Sequence, residues 1–151
     1  MIKICLCSDN HGDYDVIQRI LSANPDCDYY IHCGDSMLET DQLSPFISVQ
    51  GNCDYYDEYD KRIVLEIADK RILLIHGNGY IDNQDLLDYL IEEEKIDIVF
   101  YGHTHRFSDF IYENIRYINP GSCRNNRDGT RPSYALVYID DDNITVKRFD
   151  L

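Results

Sequence analysis

Basic residues are scarce in this chain. Lys and Arg number 14 against 28 Asp and Glu, a formal net charge of −14 over 151 residues. So acidic a surface repels phosphate backbones and anionic headgroups, which excludes nonspecific nucleic-acid binding and an electrostatic membrane role. No apolar run approaches the roughly 20 residues that a membrane-spanning helix needs. Met1 to Cys7 enters an apolar strand pattern without a charged segment followed by a cleavable apolar one, so a cytoplasmic location is expected. The cysteines at 5, 7, 27, 33, 53 and 123 include no Cys-x-x-Cys pair of the zinc type. Nothing signals an oxidising compartment, and buried free thiols are the expectation for most of them. Repeats, linkers and low-complexity tracts are also missing. With 44% hydrophobic residues, disorder is excluded, and residues 1–151 read as one domain. A homo-oligomer is compatible with this composition.

What is present is a strand–helix–strand rhythm. Ile2 to Ser8 reads as a buried strand, followed by a loop from Asp9 to Asp13. Val16, Ile17, Ile20 and Leu21 recur at helical spacing, which predicts a helix over Tyr14 to Ala23. Strands follow over Tyr29 to His32 and Phe46 to Val49. Arg62 to Ile67 and Arg71 to Ile75 read as a hairpin around Ala68-Asp69-Lys70. A second helix is predicted over Asn83 to Lys95 and a strand over Ile96 to Tyr101. Phe107 to Tyr112, Arg116 to Asn119, Tyr134 to Ile139 and Ile144 to Phe149 read as antiparallel strands separated by turn signals. The pattern predicts an α/β domain with a partly parallel sheet and an antiparallel C-terminal half. Tyr55, Tyr56, Tyr59, Tyr89 and Tyr101 are read as packing residues.

Five short motifs stand after predicted strands: Asp9-Asn10-His11, Gly34-Asp35, Gly51-Asn52-Cys53-Asp54, His76-Gly77 and Gly102-His103-Thr104-His105. Ligands in open α/β sheets gather beyond the carboxyl ends of strands, so loops distant in sequence can converge on one rim. Asp9, His11, Asp35, Asn52, His76, His103 and His105 then supply seven oxygen and nitrogen donors, enough for two adjacent metal sites sharing one carboxylate. Such donors suit borderline divalent ions without cysteine. Two ions about 3.5–4 Å apart can clamp the attacking and leaving oxygens of a displacement at phosphorus. Taken singly, Asp9 or Asp35 after a strand is an ordinary cap. Four of the five histidines nevertheless fall in these motifs, which chance placement does not produce. The fifth, His32, reads as a strand residue near the site.

This series resembles the calcineurin-like metallophosphoesterase superfamily, and within it the small bacterial and archaeal phosphodiesterase branch with a Gly-Asn-Cys-Asp third motif. The resemblance runs from Ser8 to Ser122. It implies a four-layer α/β/β/α sandwich of two mixed sheets with flanking helices. It also implies one metal held by Asp9, His11, Asp35 and His105, and a second held by Asp35, Asn52, His76 and His103. Asp35 would bridge them, and the ions would be manganese first, with iron, zinc, nickel or magnesium as alternatives. The implied activity is hydrolysis of a small phosphodiester by a metal-bridging hydroxide, with Asp35, Asn52, His76 and His103 in the catalytic set. Asn52 would also touch a phosphoryl oxygen, and Asp54 would orient a ligand histidine. A phosphomonoesterase, or a scaffold of this fold that binds partner proteins as in retromer-subunit relatives, are the alternative readings.

Three features qualify the resemblance. Much of the superfamily has a leaving-group histidine where this chain has Cys53. Losing a positioned acid costs about 10²–10⁴-fold for a poor leaving group, so a bias toward aryl diesters or another proton source is expected. Beside two cations the Cys53 thiol would tend toward thiolate. Many relatives read His-Gly-His where this chain has His76-Gly77-Asn78. Finally, Arg124, Arg127 and Arg131 form the one basic cluster. They read either as a loop that grips a phosphate, Arg124 and Arg127 foremost, or as a solvated surface loop. The turn Asn119-Pro120-Gly121-Ser122 is expected to pack against the histidine loop.

Overall fold

The computed structural model describes residues 1–55 and 58–151, so Tyr56 lies outside the described residues. β1 (Ile2–Cys7), β2 (Tyr29–His32) and β3 (Ile47–Ser48) are joined through α1 (Tyr14–Ala23) and the short α2 (Thr40–Leu43). β4 (Arg62–Ile67) and β5 (Lys70–Ile75) form a hairpin. α3 (Gln84–Glu94) leads to β6 (Ile98–Phe100), β7 (Phe107–Tyr112), β8 (Ile115–Pro120), β9 (Ser133–Asp140) and β10 (Asn143–Asp150). Helix boundaries follow their caps. The Asp13 side chain accepts from Val16 N at the start of α1, and that of Asn83 from Leu86 N at the start of α3. Lys95 closes α3 in the left-handed region.

Two five-stranded mixed sheets result, in the orders β10-β9-β1-β2-β3 and β4-β5-β6-β8-β7. Period-2 alternation divides their side chains. Ile4, Leu6, Ile72, Leu74, Ala135 and Val137 meet in the buried layer between the sheets. Cys5, Cys7 and Leu136 point outward onto Val16, Ile17 and Ile20 of α1. Leu73, Ile75 and Val99 do the same against Leu87 of α3. The architecture is therefore the four-layer α/β/β/α sandwich.

One expectation needs correcting. The last four strands are not a single antiparallel set: β8 pairs with β7 antiparallel but with β6 in parallel. β9 then belongs to the other sheet, antiparallel to β1. The segment 121–132, which begins with Gly121-Ser122, is thus a crossing between sheets. Both faces of β8 and β9 are apolar, and a single sequence carries no mark of which sheet such a strand joins. α2 was not anticipated either, being one turn long. The tyrosines are packing residues in part: Tyr59 and Tyr101 are buried, whereas Tyr55 and Tyr89 are exposed.

Candidate metal centre

The parallel strands point their carboxyl ends at one rim. There the backbone leaves the extended region abruptly, because Asp9, His11, Asp35, His103 and His105 all have positive φ, between 44° and 69°. For L-residues this conformation costs about 1–2 kcal/mol each. The offset is visible in cross-loop hydrogen bonds. Asp9 N donates to Gly34 O at 3.1 Å, His11 N to Asp35 O at 3.1 Å and Gly12 N to Ser36 O at 2.8 Å. Gly102 N donates to His76 O at 2.8 Å. Strained donors held this firmly mark a pre-organised site.

Asp9 Oδ2 is occupied, accepting from Ser8 Oγ and from His103 N. Asp9 Oδ1 is buried without a hydrogen-bond partner, as is His76 Nε2. Three imidazole nitrogens surround that oxygen: His105 Nε2 at 3.3 Å, and His11 Nε2 and His76 Nε2 each at 3.8 Å. Asp35 Oδ2 lies 3.2 Å from His76 Nε2 and 3.8 Å from His11 Nε2, so this carboxylate faces both sides of the site. His11 Nε2 and His105 Nε2 are 3.1 Å apart. On the far side His103 Nδ1 meets Asn52 Oδ1 at 3.1 Å. All seven expected donors therefore share one rim.

Tautomers decide what this cluster wants. His76 Nδ1 lies 2.7 Å from Cys33 O and His105 Nδ1 lies 2.8 Å from Asn125 O. A carbonyl only accepts, so Nδ1 carries the proton and the neutral ring turns an Nε2 lone pair inward. Lone pairs then face carboxylate oxygens and each other, an arrangement that only protons or cations satisfy. Burial opposes charge on His76, yet Asp35 and Asp9 raise its pKa above the ordinary value. The Asp9 carboxylate, 3.3 Å away, does the same for His105. Burial and the His76 charge push His103 down instead. Burial would lift both carboxylates, but the close approach of His105 and the His76 charge hold Asp9 below its usual range. His76, Cys53 N and His11 hold Asp35 at about 2. In three overlapping trios, Asp9–His11–His105, Asp9–Asp35–His76 and His11–Asp35–Cys53, one ligand atom per residue lies within 4.8 Å of the others. The donor set fits divalent cations.

Residues 2–142 match the calcineurin-like phosphoesterase superfamily domain. The chain belongs to this superfamily. It is 34% identical to YsnB of Bacillus subtilis (strain 168), named as a probable metallophosphoesterase, over 99% of this chain and 91% of that protein. With phosphodiesterase MJ0936 of Methanocaldococcus jannaschii it shares 28% identity, covering 81% of this chain and 84% of that one. A predicted phosphoesterase from Streptococcus pneumoniae TIGR4 superposes with a TM-score of 0.90 at 32% identity, covering 99% and 89% of the two chains. Wild-type Vps29 from Entamoeba histolytica shares the fold, with a TM-score of 0.74 at 19% identity and 99% of both chains covered. A phosphoesterase superfamily thus accounts for both the fold and the metal-suited rim.

The superfamily residues differ from expectation in several places. Asp54 does not orient a histidine. Its Oδ2 accepts from Asp35 N at 2.9 Å and Gly51 N at 2.7 Å, and its Oδ1 from Met37 N at 2.8 Å. Three backbone donors occupy its two oxygens, so it shapes the Asp35 loop. Burial and the Asp35 charge raise the Cys53 thiol, while the expected drift toward thiolate concerns the site with cations bound. The basic cluster also divides. Arg124 Nη1 donates to His11 O at 2.7 Å and Arg127 N to His105 O at 2.9 Å, whereas Arg131 is spent on Leu151 O.

The 119–122 turn packs against the histidine loop as expected, through side-chain contacts that the sequence reading did not specify. Ser122 Oγ donates to Asp9 O at 2.7 Å. Asn119 Nδ2 donates to Gly102 O and Thr104 Oγ1, both at 3.0 Å, which seats the 119–122 segment against the histidine loop.

His32 is a neutral structural residue. Gly34 N donates to its Nδ1 at 3.0 Å, so Nε2 carries the proton and faces Asn10 Oδ1 at 2.8 Å. Burial pushes its pKa from 6.5 down to about 4. Between these values the unfolded chain takes up a proton that the folded chain refuses. Stability therefore falls as pH drops through this window, by about 3 kcal/mol at the low end. Urea unfolding from pH 7 to 4 should show a flatter pH profile for His32→Gln than for the wild type. Parallel profiles would assign the acid sensitivity elsewhere.

Proposed function

We propose that this chain is a phosphodiesterase dependent on two divalent cations, manganese foremost. The observation that carries the reading is the meeting of unpartnered Asp9 Oδ1 and His76 Nε2 with the Nε2 atoms of His11 and His105. Asp9, His11, Asp35 and His105 would hold one ion, and Asp35, Asn52, His76 and His103 the other. When bound, the ions supply charge neutralisation at phosphoryl oxygens and a nucleophile drawn from water. The chain's own residues do the rest. Cys33 O and Asn125 O fix the ring orientations of His76 and His105, and Cys53 N holds Asp35 at 2.8 Å. Asn52, exposed beside His103, offers its amide to a phosphoryl oxygen. Arg124, tethered to His11 O, keeps further guanidinium donors for the same anion, with Arg127 beside it.

The phosphodiesterase relative in M. jannaschii supports the diester preference. Protein loaded with manganese should hydrolyse bis(p-nitrophenyl) phosphate with a kcat/KM at least about tenfold above that for p-nitrophenyl phosphate, a difference of about 1.4 kcal/mol in barrier. A reversed ratio would make it a monoesterase. Inertness toward both esters with metal fully loaded would point instead to a scaffold.

A further inference from the structure

Among the described residues, the outer strands of the two sheets are β10, β3, β4 and β7. An outer strand presents unpaired N–H and C=O groups, which proteins guard with charge or shortness. Three of these edges are guarded. β3 is two residues long, β4 exposes Arg62 and Glu66, and β10 exposes Lys147. β7 is the exception. It reads Phe-Ser-Asp-Phe-Ile-Tyr, and Phe110, Ile111 and Tyr112 are 46%, 67% and 45% exposed in a row. Its single charge, Asp109, is cancelled within the chain, since Arg116 Nε and Nη2 donate to its two oxygens at 2.7 and 2.9 Å. In a chain of net charge −14, this edge is neutral and apolar.

The hairpin fixes which backbone groups β7 leaves open. Glu113 and Asn114, with φ of 49° and 67°, form its two-residue turn, so the flanking Tyr112 and Ile115 are a hydrogen-bonded pair. Alternation then turns the N–H and C=O of Asp109 and Ile111 away from β8. The far side of β8 agrees. Ile118, opposite Asp109, accepts from Tyr101 N at 3.1 Å, and Arg116, opposite Ile111, donates its N–H to Asp97 O at 3.2 Å. A strand docking on β7 must therefore bond to Asp109 and Ile111.

A second β7 meets that demand in one register. Asp109 opposite its own copy would set two carboxylates side by side. Ile111 opposite its own copy would set Asp109 against Glu113. Like charges directly opposite are destabilising, which disfavours both. Asp109 opposite Ile111 of the second copy avoids the clash, and symmetry repeats the pair at the other end. The two-fold axis then passes through Phe110, at a non-hydrogen-bonded position where facing Cα atoms are about 4.5 Å apart. Each Phe110 ring, already stacked on Tyr117 with centroids 5.0 Å apart, meets its copy edge to edge.

We infer that β7 is the interface of a homodimer in which two copies join sheets through Asp109 and Ile111 about an axis at Phe110. The three exposed side chains offer roughly 300 Å² per copy, at the small end for a specific interface, so association is concentration-dependent and micromolar. β7 begins two residues after His105, and the antiparallel pairing therefore opens the two metal rims at opposite ends of the dimer. The dimer does not depend on the phosphodiesterase reading.

Sedimentation equilibrium from about 1 to 100 μM should show monomer and dimer in exchange. Added salt should tighten the dimer by screening repulsion between two acidic copies. Ile111→Lys restores the missing guard at an exposed position and should weaken association at least about tenfold, with an unchanged circular dichroism spectrum. Cysteine substitution under oxidised glutathione reads the register. Phe110→Cys should give a disulfide-linked dimer, because its Cα faces its own copy at about 4.5 Å. Ile111→Cys should not, since its copy lies two residues further along the strand, beyond the reach of about 7 Å. The wild type, whose cysteines all lie outside β7, supplies the background. A wild type monomeric at every concentration, or a dimer indifferent to Ile111→Lys, would overturn the interface. Cross-linking through Ile111→Cys in preference to Phe110→Cys would overturn the register.

Discussion

Replacing Asp35 by Asn should lower diester turnover by about 10³-fold, the equivalent of several kcal/mol of lost transition-state stabilisation. Under the two-ion reading proposed above, it should also reduce bound metal from two ions per chain to one or fewer. The reason is the position of its Oδ2, 3.2 Å from His76 Nε2 and 3.8 Å from His11 Nε2, between the two halves of the rim. An amide there is neutral and cannot balance cations on both sides. The fold should survive the change. An amide oxygen can still accept from Cys53 N, and the loop itself is held through Asp54, which accepts from the backbone N–H of Asp35 and Met37. Elemental analysis and turnover together check the prediction. Near wild-type turnover with a single ion bound would end the two-ion reading.

Gly51→Ala is expected to be the most damaging substitution that adds a single methyl group. A Cβ at Gly51 would lie 2.1 Å from Asp35 Oδ1 and 2.6 Å from Asp35 N. The second contact is backbone, which cannot swing aside. Overpacking of this kind costs about 3 kcal/mol, or about 6–12 °C in Tm for a domain of this size. Metal affinity should fall with it, because relief of the clash must move the Asp35 carboxylate. Gly129→Ala is the control. Gly129 has φ +80° but open space around its Cβ, so only the backbone conformation, about 1 kcal/mol, is at stake. Thermal unfolding that lowered Tm equally for both variants would show that close approach is not what keeps glycine at position 51.

These two residues show what was legible in the sequence. Asp35 announced itself through Gly34 and its place after an apolar strand, and the other motifs did so in the same way. Their glycines were read only as small neighbours. Gly51 and Gly102 instead stand where a Cβ would strike Asp35 Oδ1 or Ser8 Oγ at 2.1 Å. Close approach between loops from different strands has no local signature. Asp54 illustrates the opposite error. An acid two residues after Asn52 invited a histidine partner, whereas the folded loop presents three backbone N–H groups that outcompete one.

The sequence by itself determined the strands, the two longer helices and the order in which seven donors reach the strand ends. Hydrophobic periodicity and turn chemistry are local, so a linear reading recovers them. Tertiary structure alone decided the rest. It passed β8 and β9 into different sheets and turned five donor residues into the left-handed region. It also aimed the Nε2 atoms of His11, His76 and His105 at one unpartnered oxygen of Asp9. Those outcomes depend on contacts between residues far apart in the chain, Asp9 with His105 and Ile2 with Ile139 among them, whose energies exist only after the chain has folded.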